Sequence, residues 1–125
     1  MKSLLVVAHG SRRQQSNDEV RSITARLRER DSQFEQIDCA FLELAEPAIP
    51  DGLRQLIQSG SRQIVVLPYF LSAGRHVTID LPREVAIVAS ESPEVAIHLV
   101  DYLGAAQGVE ELMLSQAVIT ESVGE

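Results

Sequence analysis

Two histidines stand where apolar runs end: His9 in "LLVVAHGSRR" and His76 in "LPYFLSAGRHVTIDLP". Between them in sequence, Glu43 closes a third such run in "IDCAFLEL". A neutral imidazole is both a ligand for divalent first-row metals and a base near neutral pH. Two imidazoles and a carboxylate can hold a metal ion with open positions, or take protons from a bound substrate. One histidine after a strand reads as a cap or a packed polar group. Two in equivalent positions, with a carboxylate between them, raise the functional reading to equal standing. His98 differs, because it lies inside "VAIHLV" and reads as a core or surface histidine.

The flanks of the two histidines carry a second set of candidates. Arg12, Arg13 and Arg75 are either solvated surface charge or guanidinium forks for substrate carboxylates. Tyr69, Phe70 and Leu71 are either ordinary packing or an apolar wall for a flat ring. There is no G-x-G-x-x-G after a strand and no G-x-x-x-x-G-K-[ST], so those routes to nucleotide binding are unsupported. G-x-S-x-G is missing as well, which removes the usual nucleophile elbow.

Positioning these residues requires a framework, and the hydrophobic pattern supplies one. "SLLVVAH", "IDCAFLEL", "QIVVLPYF" and "VAIHLV" read as strands, the first and third nearly continuous in apolar residues, as parallel strands covered on both faces require. Val20, Ile23 and Leu27 recur at helical spacing, with Ser16 and Glu19 placed as a capping box. Ile49, Leu53, Leu56 and Ile57 follow, with Pro50 near the start and Gly60 as a C-terminal stop. Leu81, Val85, Val88 and Ala89 form a third stripe, Pro82 fitting its first turn, and Val109, Leu112 and Met113 begin a fourth. The alternation predicts an α/β fold: one domain over residues 1–125 with an open four-stranded parallel sheet and helices on both faces, residues 120–125 fraying. Ligands of such sheets bind outside the carboxyl ends of the strands. His9, Glu43 and His76 would gather on that one edge.

Bulk properties narrow the partners. A net charge of −7 argues against general nucleic-acid binding, which needs a basic surface, and the aromatics number only three Phe and two Tyr. No apolar run approaches the roughly 20 residues that cross a bilayer, and the opening "MKSLLVVAHGS" reads as a first strand rather than a secretory leader. The single Cys39 excludes an internal disulfide framework and reads as a buried, inert thiol, which points to a cytoplasmic setting.

Taken together, "LLVVAHGSRR", "AFLELAEPAIPDGL" and "LPYFLSAGRHVTIDLP" resemble the CbiX/SirB family of class II chelatases over residues 3–83. The resemblance implies insertion of a divalent metal into sirohydrochlorin, a tetrapyrrole with eight carboxylates, with Co2+ favoured and Fe2+ or Ni2+ as alternatives. It implies that His9 and His76 handle the metal and that Glu43 orients a histidine or accepts a proton. It implies no cofactor or nucleotide beyond the substrate metal. Many relatives carry two such domains in tandem, so this chain implies a symmetric homodimer with half of the cleft on each copy. Two rivals stand beside this reading. A histidine phosphatase would need an arginine where Ala8 stands. A non-catalytic metal or tetrapyrrole carrier would use the same histidines.

Overall fold

The computed structural model describes residues 1–119. The expected fraying of residues 120–125 lies outside them. Four strands, β1 (Lys2–Ala8), β2 (Gln36–Phe41), β3 (Gln63–Pro68) and β4 (Ala96–Leu99), form one sheet in the order β2-β1-β3-β4, parallel throughout. Among the described residues, four α-helices connect or follow them: α1 (Gln14–Arg28), α2 (Ile49–Gln58), α3 (Leu81–Glu91) and α4 (Val109–Gln116). Among the described residues, no helix is long and apolar enough to cross a membrane.

Side chains of β1 alternate between two layers, as the pleat demands. Leu5 and Val7 join Ala40, Ile49, Leu53, Leu56, Leu81, Val85 and Val88 on the face covered by α2 and α3. Leu4, Val6 and Ala8 point the other way, into clusters that include Ile37, Phe41 and, from α1, Val20 and Leu27. Burying each large side chain contributes about 1.5–3 kcal/mol. The central strand therefore reads as continuously apolar because both of its faces are covered.

The strand order reverses direction between β1 and β3: β1 leads outward to β2, while β3 leads the opposite way to β4. Packing places α1 on one face and α2 and α3 on the other, as crossovers of a single hand require for this order. At this reversal the connections after β1 and β3 diverge, and a crevice opens at the carboxyl edge.

Several local expectations are corrected. Ser16 and Glu19 do not form a capping box: α1 begins at Gln14, and Arg13 precedes it without a side-chain cap. Asn17 serves the entry instead. Its Oδ1 accepts from the Ser11 amide at 2.9 Å and its Nδ2 donates to the Ser11 carbonyl at 2.8 Å, so the helix must already be formed by residue 17. The second, third and fourth strands are shorter than their apolar runs, because residues 42–44, 69–70 and 100 turn away from regular pairing. Cys39 is half-buried rather than buried. Ala89 faces solvent, and α4 forms with Leu112 and Met113 exposed. Gly60 does stop α2, at a φ of +107° that suits the position after a helix C-cap.

Candidate functional site

The end of β1 places the first two candidates by hydrogen bonding alone. Beyond the regular strand, the Leu42 amide donates to the Ala8 carbonyl at 3.0 Å and the Glu43 amide to the His9 carbonyl at 3.1 Å. This extension of the ladder brings Glu43 beside His9. Leu44 then adopts φ +65°, and the Phe41 amide donates to the Pro47 carbonyl, closing residues 42–47 into a tight loop. The His9 loop is held from its other side by the Ser11–Asn17 clamp.

The third candidate arrives from β3. The Tyr69 amide donates to the Val7 carbonyl at 2.8 Å, and the chain then runs out along the edge before returning. His76 was expected in a loop. It begins a single π-helical turn, His76–Asp80, that leads directly into α3. Thr78 ties the start of this turn through bonds from its amide and its hydroxyl to the Gly74 carbonyl. Such widened turns are frequent at functional sites.

These routes converge. The rings of His9 and His76 lie 4.4 Å apart between centroids, tilted by 51°. His9 Nε2 is 3.2 Å from Glu43 Oε2, and His76 Nδ1 is 2.9 Å from Asp80 Oδ2. The two imidazole–carboxylate pairs line an open cleft of about 190 Å³, together with Leu42, Arg83 and Glu84. Among the described residues, no group of three or more His, Cys, Asp or Glu side chains is gathered tightly enough to make a ready-made metal cage. The arrangement offers imidazole nitrogens and carboxylates in a solvent-open crevice, where ligand exchange and proton transfer are both accessible chemistry.

The remaining candidates are distributed around this centre. Arg12 and Arg13 are exposed on the loop after His9, and Arg75 is exposed immediately before His76. None of the three lines the cleft. Tyr69 packs with Leu4, Val6 and Ile37, Phe70 joins the opposite layer with Leu5 and Val7, and Leu71 is 76% exposed. His98 lies exposed on the edge strand β4, paired in register with Val65 and outside the cleft. Sequence reasoning missed Asp80, Arg83 and Glu84. The spacing of His76 and Asp80, four residues apart ahead of a proline-led helix, was the available signal.

Residues 3–120 match the CbiX family. The chain belongs to that family. This CbiX-family chain is 33% identical over 88 residues to the sirohydrochlorin cobaltochelatase of Methanocaldococcus jannaschii, covering 70% of this chain and 61% of that protein. It is 34% identical over 101 residues to the chloroplastic sirohydrochlorin ferrochelatase of Arabidopsis thaliana, covering 81% of this chain and 44% of that protein. The chain thus spans less than two thirds of each of these curated relatives. Among solved structures, it is similar to the cobalamin biosynthesis CbiX protein of Marinobacter aquaeolei VT8, with a TM-score of 0.80 at 25% identity over 93% of both chains. It is also similar to the sirohydrochlorin chelatase SirB of Bacillus subtilis subspecies spizizenii in complex with cobalt, with a TM-score of 0.82 at 28% identity. That match covers 92% of this chain and 49% of the other.

Proposed function

We propose that this CbiX-family chain inserts a divalent metal into sirohydrochlorin, with Co2+ favoured and Fe2+ or Ni2+ as alternatives. The observation that carries the reading is the His9–His76 ring pair, 4.4 Å apart at the reversal point of the sheet, with Glu43 3.2 Å from His9. The names of the relatives supply the substrate class.

Metallation must strip water from an ion and remove two pyrrole protons from the ring. His9 and His76 bind the incoming ion through imidazole nitrogen and act as proton acceptors as the ring nitrogens take it over. Glu43 beside His9 takes up a proton or steadies the imidazolium. Arg12, Arg13 and Arg75 engage peripheral carboxylates from the rim, and the 69–71 segment, chiefly through Leu71, covers a ring face. No nucleotide enters this scheme.

The cleft of about 190 Å³ is smaller than the roughly 300–1,000 Å³ of sites that enclose organic ligands. A second copy facing it in a symmetric homodimer would complete the enclosure. The proposed setting is cytoplasmic.

The deciding experiment mixes the protein with sirohydrochlorin and Co2+, Fe2+, Ni2+ or Zn2+ in turn and follows the tetrapyrrole absorption spectrum. Turnover well beyond one equivalent of protein is expected, fastest with Co2+. Stoichiometric binding without turnover would establish a carrier instead. His76→Ala is expected to abolish insertion while the far-ultraviolet spectrum stays native, since His76 is exposed.

A further inference from the structure

We propose that Asp80 is the positioning residue of His76, setting which imidazole nitrogen is offered to the cleft. This inference rests on reading His76 as a metal-handling residue.

Asp80 Oδ2 lies 2.9 Å from His76 Nδ1. A carboxylate accepts hydrogen bonds, so this contact assigns the ring proton to Nδ1. In the neutral ring the lone pair is then confined to Nε2. A free histidine side chain favours the opposite tautomer, with the proton on Nε2, so the carboxylate selects the minor form and orients the ring at the same time.

The backbone makes this pairing durable. His76 and Asp80 open and close the single π-helical turn, and the Leu81 amide at the head of α3 donates back to the His76 carbonyl. Leu81 is fully buried in the core, so the turn is anchored where it meets the helix. The other Asp80 oxygen, Oδ1, faces an Arg83 guanidinium nitrogen at 3.9 Å, one helical step further on. His76 itself is half exposed, with a side-chain accessibility of 50%. The His9 ring 4.4 Å away restricts the His76 ring sterically but offers no acceptor that fixes its tautomer; Asp80 does.

Asp80 therefore differs in role from Glu43. Glu43 stands beside Nε2 of His9, whereas Asp80 occupies Nδ1 of His76 and leaves Nε2 as the free nitrogen. Outer carboxylates of this kind typically alter metal affinity 10- to 100-fold when removed.

The test uses the full chain in two measurements. Long-range nitrogen–proton NMR of the imidazoles, in mildly alkaline buffer without metal, reads the tautomer directly. Titration with Co2+ alone, followed by its visible absorption, reads affinity. In the wild-type protein His76 is expected as the Nδ1–H tautomer; finding it as Nε2–H would overturn the proposal without any variant. Asp80→Ala is expected to shift His76 toward Nε2–H and to weaken Co2+ binding by about 10- to 100-fold. Asp80→Asn, which retains an acceptor oxygen, should recover part of both. An unchanged tautomer or an unchanged Co2+ affinity in a folded Asp80→Ala protein would also overturn it. Failure of the wild-type protein to metallate sirohydrochlorin, with these results intact, would count against the proposed function and leave this inference standing.

Discussion

Gly10 packs so closely against the carbonyl of Glu43 that a Cβ at position 10 would overlap that oxygen. Gly10 also adopts φ +93°, a conformation that L side chains rarely take. The two residues meet because Glu43 is hydrogen-bonded to the His9 carbonyl, one position earlier. Gly10→Ala is therefore expected to separate the loops after β1 and β2. Urea unfolding should show a loss of about 1–3 kcal/mol, accompanied by weaker Co2+ binding. Native stability together with native Co2+ affinity would show that the contact does not hold the site.

Among the described residues, Arg83 is the one guanidinium lining a cleft that also contains Glu43, Asp80 and Glu84. Its side chain is 67% exposed, so it is accessible to a carboxylated substrate. Under the proposed function, losing one charged hydrogen bond of about 1.5–3 kcal/mol would raise KM for sirohydrochlorin by about tenfold or more. Arg83→Ala should show that rise in steady-state insertion kinetics. A KM equal to that of the wild-type protein would remove Arg83 from the proposed substrate recognition.

Arg54 bridges α2 and α3 through a two-pronged bond to Glu91, at 3.0 and 2.8 Å. That hydrogen bonding holds the Glu91 carboxyl below its ordinary value of 4.5 and raises the Arg54 guanidinium. A depressed carboxyl adds stability above its unfolded pKa and loses it as pH falls through the folded value. Glu91→Gln should consequently lower the melting temperature slightly at pH near 7, and the difference should close in strongly acid buffer. A gap that persists there would point to packing rather than charge, and one that shrinks in high salt would support the ion pair.

Leu44 combines φ +65° with a side chain that is 54% exposed. A bulky residue in this region stores about 1–2 kcal/mol, and more than half of this side chain is already in solvent. Glycine recovers the strain but costs about 0.5–1 kcal/mol in chain entropy. Leu44→Gly should therefore leave stability unchanged or raise it by up to about 1 kcal/mol in denaturant titration. A clear loss would show that the leucine side chain is held by packing.

The parts of the molecule governed by burial were legible before folding. The uninterrupted apolar runs of β1 and β3, the helical stripe of α2 through Ile49, Leu53 and Leu56, and the Gly60 stop all follow from local periodicity. The helix entry at α1 is not legible from local pattern, because Ser16 and Glu19 match a capping pattern while Asn17 makes the decisive bonds to Ser11 across six residues. The aromatic pair Tyr69–Phe70 was ambiguous for a related reason. Alternation sends the two rings into opposite layers, and no local signal states which faces are covered.

By itself the sequence determined the α/β alternation and singled out His9, Glu43 and His76, because residue type and strand-end position are local properties. Tertiary structure decided the sheet order, and with it the reversal between β1 and β3 that brings His9 and His76 to 4.4 Å. It also decided how each imidazole is paired, His9 with Glu43 and His76 with Asp80. Pairing depends on ring direction and on backbone bonds between segments distant in sequence, such as Glu43 to His9 and Tyr69 to Val7. Those are properties of the folded chain in three dimensions, and periodicity along one dimension does not encode them.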